Sequence, residues 1–439
     1  MTYERSASRP PLPMTSLSRS LSRRVLLAGA LTAGAVPLLG SLAACGSPTP
    51  AQARSSLDRL PATEPGDAPS SVARFTARLA DSSWQDRTNL VCSPWSVLVA
   101  LTMVRNGAAG TTAKEMDATF GVKDLNTFNQ QLNTLQQAFA ARSRTFPDKR
   151  EVKLEAANSL WGQQDLAFEK AYLDALAQYY GAGMNLVDFA ARTGQAIDMI
   201  NGWTKDQTHG LIDQIVDDST ITRATQLVLV NTLYLKAPWQ KPFNADRTED
   251  GPFTPGGAEP VTVPMMAGSS ALWFADDTCE AARIDYLGGE LAMAVVLPKR
   301  DLSATLGSWA GGGLATLLRS WKPAQVALTM PKWEHEWSAD LNATLSQLGM
   351  PTAFTDEAEF PGITKETALV ISHVVHKTRI TVDEEGTEAA AATAVAMEPT
   401  SAQVGERHDL KLDRPFLYVI HDVATGTPLF LGVVNNPKE

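Results

Sequence analysis

The chain has 439 residues, 44% of them hydrophobic and 20% charged, with a formal net charge of −10. That balance describes a globular chain with a sizeable core and excludes a disordered or polytopic one. The densest basic stretch, Arg142 to Arg150, is broken by Asp148 and reads as a solvated loop, so the chain lacks the clustered Lys and Arg that nucleic acid requires.

Residues 1–44 read as an export signal and stand outside the fold. Ser22-Arg23-Arg24-Val25-Leu26-Leu27 precedes an uncharged apolar run, and paired arginines in that position resemble a twin-arginine signal. Leu42-Ala43-Ala44-Cys45-Gly46 resembles a bacterial lipobox, in which Cys45 carries the lipid and becomes the mature N-terminus. The alternative is a retained membrane-spanning helix, but Gly29, Gly34, Pro37 and Gly40 interrupt the run. Removing residues 1–44 takes away five Arg and one Glu and leaves a formal charge of −14. Residues 45–70, rich in Pro, Ser, Ala and Thr without apolar period, read as a flexible tether that reaches about 30 Å from the membrane. The folded body is expected over 71–439.

Helical patterns come first in that body. Apolar residues recur every three or four positions over Val72–Ala80, Ser96–Asn106, Thr112–Phe120 and Leu125–Arg142. KLEAANSLWGQQ then reads as a strand, and AFEKAYLDALAQYYG and QAIDMINGWTKDQTHG as helices. After residue 225 strands take over: LVLVNTLYLKAPW is apolar on both faces, as a central strand should be, and similar runs recur at Leu291–Leu297 and Gln325–Met330. HVVHKTRITVDEE is a further strand, and FLYVIHDVATGTPLFLGVV a pair joined through Thr425-Gly426. Helices followed by strands point to one large α+β body around an extended sheet. Cys92 and Cys279 fit no zinc spacing and are either one disulfide or two buried thiols; Cys92, in NLVCSPWSVLVAL, reads as a small core residue.

The strings of common hydrolases are missing: HExxH, GxSxG, SxxK and the P-loop do not occur. TTAK at Thr111 has the SxxK spacing without its serine, and Thr capping of a helix accounts for it. His373 and His376 lie three apart on a strand, hence on opposite faces, and cannot easily share a metal; His376 reads as a satisfied core histidine. No metal or cofactor is expected.

The segment Glu384-Glu385-Gly386-Thr387-Glu388-Ala389-Ala390-Ala391-Ala392-Thr393 is unusual. In extended form Thr387, Ala389, Ala391 and Thr393 share one face, and all are small enough to enter a packed sheet. Gly386 supplies hinge freedom just before them. The polar MEPTSAQVGERHD that follows reads as an exposed loop.

This segment resembles the hinge of the inhibitory serpins. CSPWSVLVAL at Cys92, LVNTLYLKAPWQKPF at Leu229, MPKW at Met330 and LKLDRPFLYVI at Leu410 are similar to further segments of that family, in the same order. The resemblance implies a single α+β domain of three β-sheets and about eight or nine helices with an exposed reactive loop. It implies an inhibitor, not an enzyme: a serine protease cleaves the loop, an acyl-enzyme forms, and the hinge enters the central sheet as a new strand. By the same resemblance Lys332 pairs with Glu384 at the hinge, Ser93, Ser96, Asn231 and His376 form the shutter beneath the sheet, and Trp239 marks the breach where insertion begins. The family's common spacing of 16 residues from Glu384 gives Thr400–Ser401 as the cleaved bond; counting back from Pro415 favours Gln403 or Val404, and Met397 is a minor point of attack. No Arg or Lys lies between Glu384 and Arg407, so elastase-like or subtilisin-like proteases are the expected partners. A monomer, exported and lipid-anchored at Cys45 on the outer face of the cell membrane or shed from it, completes the expectation. The alternative within the family is a non-inhibitory carrier.

Overall fold

In the computed structural model, which describes residues 50–388 and 405–439, helices form where the sequence carries the three-to-four-residue period: α1 (Ala68–Ser83), α2 (Pro94–Arg105), α3 (Gly110–Phe120), α4 (Leu125–Ala140), α5 (Lys170–Ala175) and α6 (Thr193–Gln207). Ser93 caps α2 by accepting the Ser96 N–H, and Pro94 occupies the first turn, where a missing N–H costs nothing. Every residue from Pro94 to Val104 is buried, as suits a helix that is apolar all round and lies beneath a sheet. Helix α3 departs from the expected Thr cap. It begins at Gly110, and the Glu359 carboxylate, far away in sequence, accepts the Thr111 N–H at 2.7 Å.

One sheet runs through β1 (Ala51–Ala53), β2 (Glu151–Gln163), β3 (Met184–Val187), β4 (Leu227–Pro238), β5 (Trp333–Asp340), β6 (His373–Val382) and β7 (Gly386–Thr387), with the short Arg144–Thr145 paired to β2 off this path. Their order across the sheet is β1-β3-β2-β4-β7-β6-β5. A second sheet runs from Arg407–Lys411 through Lys322–Pro331, Val261–Ala275, Cys279–Asp285, Leu291–Pro298 and Phe416–Asp422 to Pro428–Val434 and Leu90–Cys92. Glu249–Phe253 joins the same sheet, because the 15-residue strand Val261–Ala275 pairs at one end with it and at the other with Cys279–Asp285. Helices and mixed sheets thus make one α+β domain. Cys92 and Cys279 are free, buried thiols, each pushed up to about 12 by burial, and therefore inert near neutral pH.

Two expectations are corrected. The described part of the supposed tether does not hang free: β1 pairs antiparallel with β3, covering the sheet edge, and the chain after it crosses α4 and α5. Ser55 donates to Asp174 at 2.6 Å, Leu60 N–H to the Gln178 carbonyl at 2.8 Å, and Thr63 N–H to Thr134 at 2.9 Å. Asn133 and Gln137 of α4 both donate to the Leu60 carbonyl, each at 3.0 Å. The order of this segment comes from backbone groups meeting polar side chains, which leaves no apolar period in the sequence. Arg142 is likewise no solvated loop residue; it pairs with the fully buried Asp422 carboxylate at 2.8 Å and with Glu290 at 2.9 Å.

Candidate functional site: hinge, breach and shutter

Strands β4 and β6 run parallel but pair only over Val228–Asn231 and His373–His376. At the other end β7 sits between them, with Gly386 opposite Pro238, and Thr387 opposite Ala237 on one side and Val382 on the other. Between these two pairings, residues 232–236 of β4 meet no strand on that side among the described residues. Among the described residues the sheet is zipped below, wedged above and unpaired in between. β4 and β6 diverge above Asn231 and His376, and Gly386 and Thr387 are the described residues that enter from the top.

The bottom of the slot is closed by His376, which is fully buried. Its Nδ1–H donates to Asn231 Oδ1 at 2.5 Å, and its Nε2 accepts the Ser93 N–H at 3.0 Å and lies 2.8 Å from the Thr378 hydroxyl. Burial pulls the imidazole down to about 4, so it is neutral at physiological pH and can accept on one nitrogen while donating on the other. Ser96 joins through its hydroxyl, which donates to the Ser93 carbonyl at 2.9 Å. Asn231 Nδ2 and the neighbouring Asn158 Oδ1 and Thr232 Oγ1 are buried without a partner. Polar groups left in this state favour an arrangement that would satisfy them.

At the top, Trp239 is fully buried and stacks on Tyr286 with centroids 4.5 Å apart. Its indole N–H donates to the Asp383 carbonyl at 2.9 Å and its backbone N–H to the Glu385 carbonyl at 2.8 Å, so the turn into β7 rests on this ring. Lys332 Nζ lies 3.2 Å from Glu384 Oε2, and the Thr248 hydroxyl donates to Glu384 Oε1 at 2.7 Å. Burial raises the affinity of Glu384 for a proton, but the hydrogen bond from Thr248, backbone and Lys332 outweigh it and hold the carboxyl below its ordinary value. Thr387 is buried, with its hydroxyl 2.6 Å from that of Tyr286. Gly386 is required for space: a Cβ there would lie 2.3 Å from the Ala237 carbonyl oxygen.

Glu388, where this part of the described chain ends, stands at φ 51°, a left-handed conformation that costs a glutamate about 1–3 kcal/mol. Burial raises its pKa, partly offset by the Tyr234 hydroxyl and by Arg379, Lys236 and His209. The hinge residues Ala389, Ala390, Ala391, Ala392 and Thr393, the bond Thr400–Ser401, and Cys45 lie outside the described residues.

The structure therefore brings Ser93, Ser96, Asn231 and His376 into one cluster, and Trp239, Lys332 and Glu384 to the opposite end of the same slot. Sequence reasoning missed Thr378, Thr248 and Tyr286. Thr378 lies two residues after His376 and so on the same face of β6, a signal that was available. Thr248 and Tyr286 reach the hinge from distant loops and have no such signal. Among the described residues no group of three or more His, Cys, Asp or Glu could hold a metal, and no helix is long and apolar enough to cross a membrane.

The family model for serpins (serine protease inhibitors) matches residues 70–437. The leukocyte elastase inhibitor of Xenopus laevis is 34% identical over 363 residues, covering 80% of this chain and 93% of that one. The crystal structure of tengpin, a thermophilic serpin in the native state, matches with a TM-score of 0.79 at 27% identity, covering 88% of this chain and all of that one. Thyroxine-binding globulin in complex with thyroxine matches at 0.68 and 27%, covering 85% of this chain and 99% of that one. The chain belongs to the serpin family.

Proposed function

We propose that this serpin inhibits serine proteases by trapping them after a single cleavage of its loop. One observation carries the reading: Gly386 and Thr387 are already seated between β4 and β6, at the head of a slot unpaired among the described residues, and in sequence Ala389 to Thr393, just beyond Glu388, are all small. Loop insertion in serpins is an established instance of strand addition. The nucleophilic oxygen of the protease attacks the carbonyl carbon of Thr400, the C–N bond to Ser401 breaks, and the proton leaves on the new Ser401 amine. The resulting ester is carried along as the freed chain enters the slot. About 16 residues at about 3.3 Å each span roughly 50 Å, enough to carry the protease across the domain. Each inserted residue gains ladder hydrogen bonds worth about 0.5–1.5 kcal/mol net. The uncleaved molecule stores that gain.

Uncharged residues from Thr400 to Val404, most of them small, and the likeness to leukocyte elastase inhibitors support elastase-like targets. Incubation with an elastase-type protease is expected to yield a complex that survives boiling in detergent. Recovery of cleaved serpin with fully active protease would sink the reading. We further propose that Cys45 is lipidated, holding a monomer on the outer face of the cell membrane or releasing it when shed; incorporation of labelled fatty acid that disappears in Cys45→Ala tests this. The likeness to thyroxine-binding globulin keeps a second reading in view, an extracytoplasmic carrier, which would be indifferent to changes in the hinge.

A further inference from the structure

The docking of residues 51–63 decides where the chain before them can reach. β1 pairs Ala51 with Leu186; Leu186 lies opposite Gly162 of β2, and Gly162 opposite Leu227, the first residue of β4. Ala51 therefore sits level with the bottom of the sheet. Gly386 of β7 lies opposite Pro238, at the other end of β4. The eleven steps from Leu227 to Pro238, at about 3.3 Å each, set the two levels about 36 Å apart.

The attachment continues upward from β1. Gln52 Nε2 donates to Asn185 Oδ1 at 2.7 Å, and the Ala53 carbonyl oxygen lies so near Gly183 that a Cβ there would come within 2.7 Å of it. Arg54 donates to the Gly181 carbonyl at 2.9 Å and Gln130 of α4 to the Pro61 carbonyl at 2.8 Å, besides the bonds of Ser55, Leu60 and Thr63 described above. Held at so many points, the segment moves with the domain. Between Cys45 and Ala51 there remain six steps of chain, which span at most about 22 Å. A free tether to residue 70 would span at most about 85 Å and let any face of the domain meet the bilayer. Six steps do not, because with the hinge end on the bilayer Ala51 would stand about 36 Å above it. Among the described residues Leu57 is the one large apolar side chain that is exposed, and it lies singly on this same segment, so no apolar patch competes with the chain in setting the pose.

We propose that the docked segment fixes how the domain meets a lipid surface: the bottom of the sheet, where β1 begins, lies next to the bilayer, and the end that carries the hinge is kept off it. This rests on the lipidation of Cys45 proposed above and adds which end of the domain the lipid faces. It also narrows the partners to proteases that approach from the surrounding fluid, as opposed to proteases seated in the same bilayer.

The test reconstitutes the full chain, expressed with its signal and extracted with its anchor, in phosphatidylcholine vesicles whose headgroups carry an energy acceptor. A donor dye is placed through Ala224→Cys, just before β4, or through Lys241→Cys, just after it; both positions are exposed, and the thiols of Cys92 and Cys279 are buried. Transfer should be stronger from position 224 than from 241, and insertion of about 30 Gly and Ser residues between Pro50 and Ala51 should erase the difference. An elastase-type protease in solution should be trapped equally fast by both forms. The same protease fixed to the vesicle by a short lipid linker should be trapped on the order of ten-fold more slowly by the original chain than by the extended one. Equal transfer from the two positions in the original chain, or stronger transfer from 241, would overturn the orientation, and equal trapping of the fixed protease would overturn the choice of partner. Absence of vesicle binding would remove the anchor and this inference with it. Transfer as expected without trapping in solution would leave the orientation standing and sink the inhibitory reading alone.

Discussion

At neutral pH the His376 imidazole can link β4, β6 and the start of α2 only because it is uncharged, with one nitrogen donating and the other accepting. Its value in the fold, about 4, lies below the ordinary 6.5 because of burial, and His335 and His421 are pulled down to about 4 by the same cause. The folded state therefore binds fewer protons than the unfolded one between those limits. The stability these three contribute is complete above pH 6.5 and is lost as pH falls toward 4, by about 1.4 kcal/mol per histidine for each pH unit in that range. Melting temperature should drop steadily over that window, and His376→Gln should drop less steeply while starting lower. A flat profile from pH 7 to 4.5 would contradict this.

Two carboxylates at the hinge titrate in opposite senses. Glu384 has a lowered pKa, so the latch to Lys332 and Thr248 is present above the ordinary glutamate value and is lost as pH falls through the folded one. Glu388 has a raised pKa; its ionised form is penalised where it stands, and acid relieves that penalty. Loss of the latch frees the hinge to move, whereas protonation of Glu388 steadies it where it stands. Glu388→Gln should therefore slow spontaneous loss of inhibitory capacity at pH 7, and in that variant, where of the two only the latch still titrates, the loss should quicken as pH falls toward 4.5. A rate independent of pH, and unchanged in that variant, would remove these groups from the control of insertion.

Among the elements, β7 is the smallest and the most informative. Two residues hold the top of the slot because Gly386 fits under the Ala237 carbonyl and Thr387 fits beneath Tyr286. Replacing Thr387 with Arg puts a long charged side chain where the wild-type residue is 1% exposed. On the proposed mechanism the variant becomes a substrate, cleaved at the same bond with no stable complex, whereas a carrier would keep its properties. Trapping at the wild-type rate by Thr387→Arg would mean that insertion does not start at β7.

Much of this element-level architecture was legible. α2 and β4 announce themselves by predominantly apolar sequence, and the small-residue face after Gly386 marks a segment able to enter a sheet. Two features were not legible, for different reasons. The Ala51–Thr63 segment docks through main-chain bonds and amides of α4, so its Pro, Ser and Ala composition reads as unstructured. The divergence of β4 from β6 is a long-range fact about which residues pair, and no local period records where pairing stops.

For the whole molecule, the central claim is that the uncleaved domain is not at its lowest free energy. The unpartnered Asn231 Nδ2, Asn158 Oδ1 and Thr232 Oγ1 near the slot, a run of β4 with no described neighbour on one side, and a left-handed Glu388 at its head are the structural signs of that state. The most direct measurement compares thermal unfolding of the intact protein with that of protein nicked once between residues 397 and 404, both halves retained. The account predicts that the nicked form melts higher by tens of degrees, because the freed segment fills the slot and completes the ladder between β4 and β6. Unfolding at an unchanged temperature, with the segment after Thr387 still open to further proteolysis, would contradict it.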